Sequence, residues 1–346
     1  MSAVIRFFSV LLLSGWVVSS GAAPIPALPP EPPTLNELGY QTDTHHRLTI
    51  VSGARVRSQA NNQSGVVATL TLGTTMKQIG RTAQPSALGD SKHYWYQVEL
   101  DNQRRGWIFG SLTLPYHPSQ HLEIYRKLVE ERMGQSLSFA DQMELTRLLQ
   151  KLIAEIHEGD TPPKSLLAEL QLAYLKSIQK TLDVYNQLSP TQRRQNPYSA
   201  WLRHLEQTAK EVIFFDEISA RQLVKNEAFW ELYEANPRMN QLSDHIAWTA
   251  ANHPIGGECE GDLNCYFSYQ LNSGLLRYLK HFPNSSYQQQ ALDTLLMETN
   301  PKDAYWSASD ASELTQQLAQ MTAILSQIDT PASTRLLAQL RRLSKS

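Results

Sequence analysis

The 346-residue sequence predicts an α+β chain of more than one domain: a small all-β barrel followed by a larger all-α helical array of solenoid-like character. Three observations carry this. Short β-rich runs crowd between His46 and Tyr116, helical periodicity runs almost unbroken from Pro118 onward, and prolines recur where the helices should end. Expected boundaries are a leader at 1–22, a proline-rich linker at 23–45, the β-domain at 46–116 and the helical domain at 117–346.

The leader reading rests on a charge at Arg6, an apolar run from Phe7 to Val18 and small residues up to Ala22 and Ala23. This is the layout of a secretory signal peptide, and the run falls short of the ~20 residues that span a bilayer. Cleavage after Ala22 leaves small residues at Ser20 and Ala22 and keeps Pro24 beyond the cut. No cysteine follows the run, which excludes a bacterial lipid anchor. Removing Arg6 leaves 30 basic residues against 33 acidic ones, a net charge of about −3. That balance offers no footprint for nucleic acid, and no later segment is apolar for long enough to span a membrane. Export is expected, to a periplasm or to the exterior. Six prolines between Pro24 and Pro33 then give an extended tether.

Five strands are read in the β-domain: Arg55 to Arg57, Val66 to Leu70, Thr74 to Ile79, Tyr94 to Leu100 and Gly106 to Phe109. Gly73, Gly80, Gly89 and Asp101-Asn102 mark turns. Some 70 residues of this kind suit a small barrel or sandwich. Within it, Val56-Arg57-Ser58, then Val67, Leu70, Gly73 and Thr74, then Trp95 and Val98, and finally Gly106-Trp107-Ile108 follow one another in order. This succession resembles the bacterial SH3-like (Src-homology-3, SH3b) domain over about a fifth of the chain. The resemblance implies a barrel that binds peptide or peptidoglycan. Gln59-Ala60 stands where the family usually has glycine-proline, and the Arg81 to His93 loop is longer than usual, which bears on the ligand groove more than on the fold.

Candidate ligand-binding residues are Tyr94, Trp95, Tyr96 and Trp107, because aromatic side chains give flat surfaces to proline-rich peptides or glycan rings. Strand alternation puts Tyr94 and Tyr96 on one face and Trp95 on the other, so they cannot all be core. Trp95 and Trp107 could equally fill the barrel. His45-His46 reads as a solvated pair rather than as metal ligands.

The helical part shows Leu145, Leu148, Leu149, Leu152, Ile153 and Ile156 in an i, i+3, i+4, i+7 series, and Leu314, Leu318, Met321, Leu325 and Ile328 repeat it near the C-terminus. Stops at Pro162-Pro163, Ser189-Pro190, Asn196-Pro197, Asn236-Pro237, Phe282-Pro283, Asn300-Pro301 and Thr330-Pro331 divide about ten helices. Leu275 to Leu296 is locally similar to a tetratricopeptide helix pair, without a second copy at that family's period.

Catalytic motifs are absent: there is no H-E-x-x-H, no G-x-S-x-G and no phosphate-binding glycine loop. Glu217, in FFDEIS, has aromatic neighbours that would suit a raised-pKa glutamate, but the segment reads better as an apolar helix end with a solvated Asp216-Glu217 cap. Cys259 and Cys265 could be activated by His253 or His281 only in principle. The two cysteines frame GGECEGDLNC. Oxidising surroundings favour a disulfide there over free or metal-bound thiols, with calcium held beside the disulfide by Glu258, Glu260, Asp262 and Asn264 as the lesser reading. A continuous helix would hold the pair about 9 Å apart along its axis, too far to bond, so a bonded loop cannot be helical throughout. A helix is expected to run from Asn264 to Phe282. No catalytic residue, metal or cofactor is expected. The functional expectation is an exported, non-enzymatic envelope binding or scaffold protein whose partners are cell-wall peptide, peptidoglycan or an envelope protein, with a cell-wall hydrolase as the rival.

Overall fold

The computed structural model describes residues 45–101, 103–158, 164–255, 259–300 and 306–343. The leader at 1–22 and all but the last residue of the linker lie outside the described residues, as does Glu258.

The β-domain is a seven-stranded antiparallel sheet in the order β3-β2-β8-β7-β4-β1-β9. Its members are β1 (His45–Thr49), β2 (Ala54–Arg57), β3 (Val66–Leu70), β4 (Thr75–Arg81), β7 (Trp95–Glu99), β8 (Arg105–Phe109) and β9 (Thr113–Tyr116). A separate hairpin, β5 (Ser86–Leu88) with β6 (Ser91–His93), occupies the long loop after β4. The five expected strands are all present. The additions are that hairpin and the pair β1 and β9, which lie together with His46 opposite Tyr116. Pro115 suits β9 because that strand is a sheet edge, where a missing N–H costs no ladder bond.

Apolar alternation places Val56, Val98 and Ile108 at zero exposure in one core, with Met76 and Leu100 beside them. Gly106 is required there: a Cβ would lie 2.6 Å from Val56 Cγ1 and 2.7 Å from the Arg57 carbonyl oxygen. A second cluster joins Trp95, Trp107 and Phe109. Arg47 is buried on β1, where its Nε donates to Thr113 Oγ1 at 2.7 Å and its guanidinium lies 3.6 Å from the Tyr96 ring centre.

The sequence boundary at 116/117 falls where β9 ends, yet the compact unit containing the barrel runs to Glu158. It includes α1 (His121–Met133) and α2 (Phe139–Glu158). Specific bonds fasten these helices to the barrel. Tyr125 donates its hydroxyl to the Gly73 carbonyl at 2.7 Å, and the Glu144 carboxylate accepts the Leu72 N–H at 2.9 Å. His121 bridges Glu155 at 3.0 Å and the Tyr116 hydroxyl at 2.8 Å. Gly73 sits at φ +75°, and Leu148 fills the space that a side chain there would need.

The second unit holds α3 (Lys164–Gln187), α4 (Pro190–Arg193), α5 (Tyr198–Thr208), α6 (Asn226–Ala235), α7 (Gln241–Ala251), α8 (Leu263–Asn272), α9 (Leu275–His281), α10 (Gln288–Glu298), α11 (Ala311–Leu325) and α12 (Pro331–Leu343). With α1 and α2 this makes twelve α-helices among the described residues. The helical array is as expected, but it is not a simple stack of neighbours: α9 packs against α7, α8, α10 and α11.

Two local expectations are corrected. The FFDEIS segment is not a helix end, because Ile213–Asp216 forms strand β10, which pairs with β11 (Arg221–Val224). Asp216 turns inward and accepts the Ser219 N–H at 3.2 Å, which closes the turn. The hairpin is tied to α3 through Asn186, which exchanges two bonds with the Gln222 backbone. Nor is there one helix from Asn264 to Phe282. The chain breaks at Ser273-Gly274, where the freed Ser273 carbonyl accepts from Trp230 Nε1 at 2.8 Å and from Asn226. Gly274 allows the break, since a Cβ would meet Gln270 Oε1 at 2.5 Å.

Candidate functional site

A cleft of about 200 Å³ opens in the barrel between β2, the β5–β6 hairpin and the ends of β7 and β8. Its floor is Trp95 and Phe109, whose ring centres are 5.2 Å apart. Leu88, from the hairpin, and Leu112 form a half-buried apolar rim. The polar part of the lining includes Arg55, Arg57 and Asn62.

Each element has a local reason to place these groups. On β2, Val56 is fully buried, so Arg55 and Arg57 share the opposite face. The loop after β2 is closed by Asn61, whose side-chain oxygen accepts the N–H groups of Gln63 and Ser64 at 3.0 and 2.8 Å. Arg57 Nη1 donates to the Ser64 carbonyl at 2.7 Å, which fixes its guanidinium against that loop. Ala60 packs on the Trp95–Trp107–Phe109 cluster. The lengthened Arg81 to His93 loop is what supplies Leu88.

The expected aromatic set divides. Trp95 is at the cleft floor and only 4 % exposed. Trp107 is buried in the same cluster without lining the cleft. Tyr94 and Tyr96 are half-buried outside it, with Arg81 4.6 Å from one ring centre and Arg47 3.6 Å from the other. Phe109, Leu88, Leu112, Arg55, Arg57 and Asn62 were not singled out from the sequence as ligand contacts. The Arg-Val-Arg alternation was a usable signal for the arginines, whereas Leu88 had none.

Cys259 and Cys265 are joined, with Cα atoms 5.5 Å apart. Left-handed residues at Glu260 and Gly261 turn the loop, and α8 starts only at Leu263, capped by Asp262. Of the alternating oxygen donors, Asp262 and Asn264 serve the protein itself. Asp262 accepts from Ser309 N and Oγ, and Asn264 accepts the Asp310 N–H at 3.0 Å. The Ser307 backbone exchanges bonds with Gly261 and Leu263. His253 is committed elsewhere: it is buried, and its Nε2 donates to the Val224 carbonyl at 2.8 Å. His45 and His46 are exposed, and Glu217 is exposed in the β10–β11 turn.

One polar cluster in the helical unit has the residue types of an active site. Tyr278 and Asp244 both bond to Ser285 Oγ, at 2.5 and 2.7 Å. Burial, then the Asp244 bond, pushes the Tyr278 hydroxyl well above its usual range. The nearby His245 takes its Nε2 bond from Lys176 at 2.9 Å. Burial lowers the pKa of both, with Lys176 adding to the effect on His245. The bonded base of Ser285 is thus a carboxylate and not the imidazole, so a nucleophile–histidine relay is not assembled. The cluster pins the α9–α10 turn to α7.

Among the described residues no helix is long and apolar enough to cross a membrane, and no group of histidine, cysteine and carboxylate side chains is placed to hold a metal ion. No curated protein and no solved structure matches the chain. Residues 52–113 match the bacterial SH3 domain, so the barrel that holds the cleft is a bacterial SH3 domain followed by a helical region.

Proposed function

We propose that the chain is an exported, non-enzymatic cell-envelope binding protein, in which the SH3 barrel takes a peptide of the cell wall and the helical unit offers a second surface to an envelope protein. The observation that carries the reading is the cleft: a defined recess with an aromatic floor and a polar wall, inside the segment that matches a domain family associated with cell-wall and peptide binding. The disulfide and the leader-like N-terminus support an oxidising compartment, for which periplasm is the favoured assignment.

Co-sedimentation with purified sacculi tests this. The full chain is expected in the pellet with no soluble muropeptide released, and Leu88→Asp, which puts a charge on the apolar rim, should leave it in the supernatant. Release of muropeptides would support the hydrolase reading instead. A chain that neither sediments nor releases fragments would leave the barrel a structural part of an envelope assembly.

A further inference from the structure

Resting on the peptide-binding reading above, we propose that the ligand is an acidic peptide, its carboxylate held by Arg55 and Arg57 while an apolar group lies against Leu88 and Leu112. Among the described residues no carboxylate lines the cleft, so its arginines face no competing acid from them. Their states differ in a useful way. Arg57 is anchored by its bond to the Ser64 carbonyl, which presents a planar guanidinium at a fixed position. Arg55 is exposed and has no hydrogen bond or ion pair among the described residues. Two other arginines of the barrel are occupied: Arg105 pairs with Glu99 at 2.8 Å, and Arg104 Nη1 donates to the Val67 carbonyl.

Charge distribution agrees. Within 52–113 there are seven lysines and arginines against three carboxylates, a net of +4, while the whole chain is at −2. The barrel therefore carries a positive field that the composition of the whole chain conceals, and such a field favours anionic ligands. A single guanidinium matches a carboxylate through two parallel N–H donors, a geometry that lysine does not reproduce. A glycan ring fits less well, since Trp95 at 4 % and Phe109 at 2 % exposure leave too little aromatic face to stack on.

The test is fluorescence anisotropy of the full chain with a fluorescein-labelled cell-wall stem peptide, in its free-carboxylate and its carboxamide forms. The free form should bind about tenfold more tightly, the scale of a charge-assisted pair. Arg55→Gln should bring the ratio close to one, and Arg55→Lys should restore only part of it. Arg57→Gln should act in the same direction. Because it also frees Ser64, its thermal melt is recorded alongside, and the exposed Arg55 remains the primary variant. Equal binding of both forms by the unsubstituted chain would overturn the carboxylate assignment and leave peptide binding intact. Binding of neither would instead remove the peptide-binding reading itself. Displacement of the peptide by a single-stranded oligonucleotide at matching concentration would also overturn the proposal, showing a site for polyanions in general.

Discussion

Ending the chain after Tyr116, where the last barrel strand stops, should unfold the barrel, whereas ending it after Glu158 should not. The shorter fragment, 45–116, loses the Tyr125 bond to the Gly73 carbonyl, the Glu144 bond to the Leu72 N–H and the cover that Leu148 gives Gly73. A neutral buried hydrogen bond contributes about 1 kcal/mol and one to an ionised carboxylate about 2. Burying a leucine side chain contributes about 2 kcal/mol more. The loss of about 5 kcal/mol equals or exceeds the ~3–5 kcal/mol that a single core of this size supplies. Urea titration of both fragments, followed by circular dichroism and amide NMR, gives the comparison. Fragment 45–158 should show a cooperative transition and dispersed amide signals, and 45–116 should show neither. Equal urea midpoints would refute the claim that α1 and α2 complete the barrel. Tyr125→Phe within the longer fragment should cost about 1 kcal/mol by itself.

Three further outcomes are expected. Replacing Cys259 and Cys265 by serine should destabilise the helical unit by about 2.4 kcal/mol on the chain-entropy estimate for a loop of this length, read by urea titration, and an unchanged midpoint would count against the staple. His245, His253 and His281 have folded pKa values held below the histidine reference of 6.5, in each case chiefly by burial. Their unfolded forms therefore bind more protons below that value, so their stabilising contribution is complete above pH 6.5 and is lost as the pH falls from there through the folded values. His253→Gln should flatten the acid limb of the melting curve relative to the unsubstituted chain, and parallel limbs would refute this. Gly106→Ala should cost roughly 1–3 kcal/mol or more through overpacking against Val56 and the Arg57 carbonyl, and an unchanged melt of the barrel would contradict the close approach of β8 to β2.

The sequence made β2, β3, β4, β7 and β8 legible because their apolar residues alternate and glycines bound them, and it made the helices legible because their apolar residues recur at 3.6-residue spacing. It did not reveal β9, whose proline argues against a strand until its place at the sheet edge is known. The β10–β11 hairpin was hidden because its four-residue strands are held by Asn186 and Gln179 of α3, partners that no local pattern announces. The break at Ser273-Gly274 depends in the same way on Trp230 and Asn226. At the site, Trp95 was visible as an aromatic on a strand, but its role as a floor rather than a platform is a matter of 4 % exposure. Arg55 and Arg57 could be placed on one face of β2, yet only the folded loops show that Leu88 lines the same cleft.

The bonds that join Gly261, Asp262 and Leu263 to Ser307 and Ser309 connect residues more than 40 positions apart, on a loop already closed by the disulfide. A stack of repeats can be shortened from its end, each rung leaving the others whole. Here, cutting back the last two helices would instead strip Gln317, whose Nε2 donates to the Asn264 carbonyl at 3.0 Å, from the first turn of α8, which is four helices from the C-terminus. Trimming through α11 should therefore loosen the disulfide loop and α8 as well as the end that is removed.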